Sequence, residues 1–199
     1  MKTNAEKILT LAKKSTVLRP RDLASSGIPR ATLSRMVKSG ALDRVGRGLY
    51  MLPGADVSEF HALAEAAKRV SHGIICLLSA LRFHGLTTQA PFEVWMAINR
   101  TARKPRFDYP PVRIVRFSGQ ALTFGVEKHR IEGVVVRVTT RAKTVVDCFR
   151  YRNKIGLDVA IEALKEFRRS GRGKMDDLWR AAQVSRVARV IRPYLEMTT

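Results

Sequence analysis

Two cysteines in 199 residues leave no framework of spaced thiols. Cys76 and Cys148 stand without a CxxC pair, so neither a disulfide scaffold nor a zinc finger is indicated, and a reducing compartment fits. Long hydrophobic runs are missing too. No stretch approaches the roughly 18 apolar residues of a membrane span. The opening "MKTNAEKILTLAKK" has no apolar core ahead of a small-residue cleavage site, which reads as a soluble cytoplasmic protein with no membrane association. Acidic charge is the scarcest commodity: 17 Asp and Glu face 37 Lys and Arg, a balance of +20. Such an imbalance attracts polyanions over long range, nucleic acid first among them.

What is present is enough to fold. Hydrophobic residues make up 45% and aromatics 7%, which excludes a disordered basic tail. The length suits one ordinary domain plus a small one. Residues 1–54 hold 11 basic and 3 acidic residues, residues 55–170 hold 20 and 11, and residues 171–199 hold 6 and 3. Excess charge is therefore densest at the start, although the remainder is basic as well.

Residues 4–13, "NAEKILTLAK", set Ile8, Leu9, Leu11 and Ala12 on one stripe and predict a helix with Asn4 as its cap. "RPRDLASSG" predicts a helix of barely two turns, opened by Pro20 and stopped by Gly27. Pro29 opens a third, in which Leu33, Met36 and Val37 face a core and Gly40 ends the run. The opposite face carries Ala31, Ser34, Arg35 and Lys38. In "ALDRVGRGLYML", Leu42, Val45, Leu49 and Met51 alternate around Gly46 and Gly48, which predicts a hairpin.

Helix, short helix, tight turn, basic-faced helix and hairpin make up a winged helix-turn-helix, whose last helix buries one side and leaves the other for the major groove. Arg30 and Arg35 suit base edges, since a guanidinium can donate two hydrogen bonds to guanine. Thr32 and Ser34 suit phosphate or a thymine methyl, while Lys38, Arg44 and Arg47 suit the backbone. Arg19 and Arg21 flank Pro20, where a helix start favours phosphate; a solvated helix end is the equal alternative. Tyr50 is expected to pack the hairpin onto the core.

Pro53-Gly54 closes this unit, and "ADVSEF" reads as a linker whose Ser58 can cap the next helix. Helices are expected over 59–70 and 73–84, strands over 92–98, 112–117 and 126–138 with a turn at Glu132-Gly133, and further helices to the end. The expected fold class is α+β: a DNA-binding winged helix-turn-helix over residues 1–54, then a larger α+β domain over 55–199 with a small sheet and C-terminal helices.

The run "LRPRDLASSGIPRATLSRMVKSGALDRVGRGLYMLP" resembles the N-terminal winged helix of the AbiEi-type antitoxins of the abortive-infection family. Its specific parts are Gly27-Ile28-Pro29, Thr32-Leu33, and Gly40 to Arg44 followed by Val45, Gly46-Arg47-Gly48 and Leu49-Tyr50. "SALRFHGLT" (79–87) and "TTRAKTVVDCF" (139–149) look more loosely like the same family's C-terminal domain. The resemblance implies a cytoplasmic repressor that binds promoter repeats in double-stranded DNA, autoregulates its operon, and counters a nucleotidyltransferase-type toxin. It implies no catalytic centre and no cofactor.

Other chemistries find less support. His72 and Cys76 stand at i, i+4, but two ligands are too few for a metal site. Glu127 with Lys128, or Asp147 with Lys143, are the only pairs that suggest a metal-dependent nuclease, and Asp147 fits a helix-capping or ion-pairing role as well. No P-loop, Gly-x-Ser-x-Gly or triad is present, so the protein is read as a non-enzyme. His84, ahead of Gly85, is expected to cap its helix. A second basic cluster, Arg100, Arg103, Lys104 and Arg106, fits a solvated loop, a further DNA contact, or a docking site for an acidic partner.

Overall fold

A reciprocal pair of hydrogen bonds starts helix α1 (Asn4–Lys14): Thr3 Oγ1 accepts from the Glu6 N–H at 3.2 Å, and Glu6 accepts from the Thr3 N–H at 2.8 Å. The cap is thus Thr3, and Asn4, expected in that role, is the first helical residue. The computed structural model describes residues 2–197. Contacts divide it into two compact units, one running to Ser71 and including Arg130–Val136, the other comprising His72–His129 and the chain from Arg137 onward.

In the first unit a 3₁₀ helix (Pro20–Ser26) follows α1, with Pro20 in its first turn and Gly27 left-handed at its end. Helix α2 (Arg30–Lys38) begins after Pro29 and closes on Gly40 at φ 73. Strands β1 (Asp43–Gly46) and β2 (Leu49–Met51) form an antiparallel hairpin, and Leu18 extends it by pairing with Tyr50 through hydrogen bonds of 2.8 and 3.0 Å. Ile8, Leu18, Leu23, Ile28, Leu33, Met36 and Leu42 fuse these elements into one core, with Tyr50 and Leu52 packed on it. Tyr50 does what was expected of it.

Helix α3 (His61–Arg69) belongs to this unit. Lys68 Nζ lies 2.7 Å from Asp22, and the Arg19 guanidinium bonds the Lys68 carbonyl, so the 3₁₀ helix is tied to α3. Ser58 Oγ accepts from the Phe60 N–H at 3.3 Å, one residue before α3 starts. This division by compactness falls after Ser71, later than the change of sequence character near residue 55.

The second unit is built on a five-stranded mixed sheet of β3 (Ile74–Ile75), β4 (Val94–Asn99), β5 (Val112–Phe117), β6 (Val126–Ile131) and β7 (Val134–Thr139), ordered β5-β4-β3-β7-β6. Strand β3 runs antiparallel to β4 and parallel to β7, and β4 runs parallel to β5. The turn of the β6–β7 hairpin falls at Glu132-Gly133, as its sequence signalled, and its tip is counted with the first unit. There Glu132 accepts from the Ser58 N–H at 2.7 Å, the Ser58 hydroxyl at 2.9 Å and His61 Nδ1 at 2.7 Å. Gly133, at φ 77, backs onto the Lys14 carbonyl so closely that no Cβ would fit.

Helices α4 (Leu77–His84), α6 (Arg141–Arg150), α8 (Leu157–Arg169), α9 (Met175–Val184) and α10 (Ala188–Met197), with short turns α5 (Gln120–Thr123) and α7 (Arg152–Ile155), complete this unit. Helix α6 packs against α4, α8 and α9 and sits at the centre of the core with Leu81, Val145, Phe149, Leu164 and Phe167. One expected helix is shorter than predicted. The run 73–84 gives Ile74-Ile75 to the sheet, Cys76 caps, and the helix starts at Leu77. The fold is α+β throughout.

Candidate nucleic-acid interface

Helix α2 separates its residues by side. Leu33 and Met36 are buried in the core, while Arg30, Ala31, Ser34, Arg35 and Lys38 are exposed. Among the described residues none of the three cations forms an ion pair, so each keeps its charge free for an external anion. Thr32 departs from expectation. It is 6% exposed and its hydroxyl has no hydrogen-bond partner, because its position in α2 turns it toward the Leu33 side; it is removed from the candidate surface.

The hairpin adds Arg44 and Arg47, both exposed, with Arg44 Nε 3.4 Å from the Gly46 carbonyl and Arg47 at the turn just before Gly48. A feature that sequence reading missed lies beside the hairpin's turn. The Arg69 guanidinium occupies the space that a side chain on Gly46 would need, and it is held there by buried Glu65 at 3.1 Å. The i, i+4 spacing of Glu65 and Arg69 is a signal for the ion pair, yet nothing in the sequence links Arg69 to Gly46.

Arg21 is exposed, as a phosphate contact requires. Arg19 is not available in the same way. Its guanidinium bonds the Lys68 carbonyl and Asp22 Oδ1 at 3.3 Å, and its N–H donates to Asp22 Oδ2 at 2.9 Å. Arg19 is therefore corrected to a positioning residue that fastens the 3₁₀ helix. Burial pushes the Asp22 carboxyl up, but the hydrogen bonds from Lys68 and the Arg19 N–H outweigh it and hold the group below its ordinary 3.8.

In the second unit Arg100, Arg103, Lys104 and Arg106 are all exposed on the loop after β4. The loop is shaped from within: Arg116 Nη1 donates to the carbonyls of Arg100 at 2.6 Å and Ala102 at 2.9 Å, and Asn99 Oδ1 accepts from Thr101 at 3.0 and 2.9 Å. The four cations are thus displayed on a braced loop.

The residues considered for other chemistry are occupied elsewhere. Cys76 is buried ahead of α4 and His72 is exposed, so the two do not share a helix face. No group of three or more His, Cys, Asp or Glu side chains comes together among the described residues. Asp147 and Lys143 are fully buried and paired with each other, while Glu127 is exposed and lies 3.0 Å from His129. His84 does not cap its own helix: Nε2 lies 2.6 Å from the Thr139 carbonyl, and Arg141 serves the His84 carbonyl at 2.5 Å.

Residues 6–53 match the model of a family described as transcriptional regulator, AbiEi antitoxin. This is the segment that carries the N-terminal resemblance, and the family is one of regulators and antitoxins, which is not an enzyme class. Comparison with curated proteins gives no match. Among solved structures, the crystal structure of the RV2827C protein from Mycobacterium tuberculosis shares the fold, with a TM-score of 0.59 and 15% identity, over 92% of this chain and 72% of that one. Among the described residues no helix is long and apolar enough to cross a membrane.

Proposed function

We propose that the matched segment is a winged helix-turn-helix reading head, with residues 1–54 as the DNA-binding module, and that the protein is a sequence-specific repressor acting as antitoxin and autoregulator of a toxin–antitoxin operon. The observation that carries the reading is the exposed, unpaired face of α2, Arg30, Ser34, Arg35 and Lys38, adjoining in sequence a hairpin with Arg44 and Arg47. Arg30 and Arg35 read base edges in the major groove, Ser34 and Lys38 reach phosphate, and Arg44 and Arg47 follow the backbone from the wing. Arg21 adds a phosphate contact, and Arg19 positions it. Promoter repeats are the target, the cytoplasm is the site of action, and no cofactor or catalysis is involved.

Residues 55–199 form the antitoxin-like α+β domain, with a nucleotidyltransferase-type toxin as its partner. One observation favours a second reading. The family match ends at residue 53, which leaves the second unit free to serve a stand-alone regulator without a toxin. Coexpression with the product of the neighbouring gene separates the two: rescue of growth and copurification support the antitoxin, and independence of the two proteins supports the plain regulator.

DNA reading itself is tested by fluorescence anisotropy of the full chain on its own upstream DNA and on a shuffled duplex at two salt concentrations. A preference of roughly a thousandfold or more that survives physiological salt is expected. Equal affinities that fall together with salt would reduce the +20 balance to non-specific adhesion.

A further inference from the structure

Helices α2 and α9 end in the same pattern of hydrogen bonds with different residues at the decisive position. In α2 the left-handed residue is Gly40, whose N–H reaches Val37 at 3.1 Å while the Ala41 N–H reaches Met36 at 2.9 Å. In α9 it is Arg186, at φ 57, whose N–H reaches Gln183 at 3.0 Å while the Val187 N–H reaches Ala182 at 2.9 Å. Glycine adopts this backbone freely and a residue with a Cβ is strained in it. Nothing in the helix ending requires arginine. A strained residue kept where glycine would serve better points to a use for its side chain.

Arg186 lines a cleft of about 460 Å³ together with Ser118, Gln120, Arg150 and Gln183, and none of the lining residues is acidic. Arg150 enters from the last turn of α6, with Nη1 3.4 Å from the carbonyl of Ser185, the cap of α9. Ser185 is itself fixed from behind, its hydroxyl donating to buried Asp147 at 3.3 Å, which is paired with Lys143. Among the described residues Arg150 and Arg186 form no ion pair. The cleft therefore presents two guanidinium forks, a hydroxyl and two side-chain amides, with no carboxylate in its lining; the Asp147 carboxyl that Arg150 feels is buried behind it and held by Lys143.

We propose that this cleft binds a small phosphate-bearing ligand of mononucleotide size, with Arg150 and Arg186 closing on its phosphate. Guanidinium groups match phosphate oxygens with paired, charge-assisted hydrogen bonds. The volume of this half-open cleft is in the range of small-molecule sites, and its two lining cations are fewer than the extended strip that a nucleic-acid backbone calls for. The site lies wholly in the second unit and does not rest on the DNA reading.

Calorimetric titration of the full chain with AMP, inorganic phosphate and adenosine tests it, in the wild type and in Arg150→Gln and Arg186→Gly. AMP and phosphate are expected to bind saturably and adenosine not at all, and each substitution should weaken AMP by about tenfold or more. Arg186→Gly should melt at the same temperature as the wild type or higher, since glycine relieves the left-handed strain, so its loss of AMP binding cannot be ascribed to misfolding. Retained AMP binding in Arg35→Ala would support a site separate from the DNA face. The proposal is overturned by absence of saturable AMP and phosphate binding, by adenosine binding as well as AMP, or by unchanged AMP affinity in both variants. Weakened duplex binding in Arg186→Gly, with no AMP binding by the wild type, would equally overturn it and move the pair to the nucleic-acid surface.

Discussion

In α2, nine residues long, only Thr32, Leu33 and Met36 are buried and three cations stand in solvent; in α6, ten residues long, everything from Ala142 to Phe149 is buried, including Lys143 and Asp147. Both helices are amphipathic in sequence and both carry Lys and Arg. What separates them is the partner. Asp147, one turn after Lys143, allows an ammonium to be enclosed, and it bonds Ser185 as well. Burial pushes the Asp147 carboxyl up while Lys143 pulls it down, and burial prevails. The cations of α2 have no such neighbour and stay in water. An acid one turn away permits burial of a helical cation without imposing it, since Arg169, paired with Glu166, remains on the surface.

The comparison breaks most readily at the enclosed pair. Lys143→Ala leaves a buried carboxylate without its partner and should cost about 3–5 kcal/mol in chemical denaturation, whereas Lys143→Met combined with Asp147→Leu should recover most of that loss. A small cost for the single variant would mean that water reaches the pair. On α2, Arg35→Ala should leave the melting temperature unchanged and reduce discrimination between operator and shuffled duplex by about 1–3 kcal/mol. Equal weakening on both duplexes would make Arg35 a phosphate contact.

Thr32→Val sharpens the boundary between the two sides of α2. It replaces an unpaired buried hydroxyl with a methyl group of like shape, and should raise stability by about 1 kcal/mol with DNA affinity intact. A fall in affinity would return Thr32 to the interface. The smallest effects concern acid. Asp22 is held below 3.8, so its contribution is present above that value and lost as pH falls through its folded pKa; Asp22→Asn should flatten that limb slightly, the carboxylate being partly exposed. Burial lowers the His84 imidazole below 6.5 despite the Thr139 carbonyl. Its contribution is therefore full above 6.5 and declines as pH drops through the lowered value, so the loss from His84 should begin at higher pH than the loss from Asp22. Urea titrations between pH 7 and 3, followed with probes in each unit, would reveal the order.

Where structure follows from near neighbours, the sequence was readable. Pro29 and Gly40 bracket α2, Glu132-Gly133 marks its hairpin, and the apolar period of α2 separates Arg35 from Leu33. Short elements were harder. Ile74-Ile75 is too brief to show a period of two and joins the helical stripe of Leu77, Leu78 and Leu81, so its place in the sheet depends on β4 and β7, which lie far along the chain. The fate of Arg19 was equally hidden, because the carbonyl and ammonium that engage it and Asp22 both come from Lys68. Thr32 was read one side too far out, since threonine is polar yet small enough to be buried on a helix edge.

The tip of the β6–β7 hairpin carries a consequence for biosynthesis. A chain emerging from the ribosome has α1, the 3₁₀ helix, α2 and the β1–β2 hairpin early, but the carboxylate that binds Ser58 and His61, and the glycine seated on Lys14, arrive only with residues 132 and 133. Vectorial folding, in which earlier pieces set first, must leave that part of the first unit open until more than half of the polypeptide has been made. A nascent chain stalled before Glu132 would hold the basic face of α2 while lacking the carboxylate that engages Ser58 and His61.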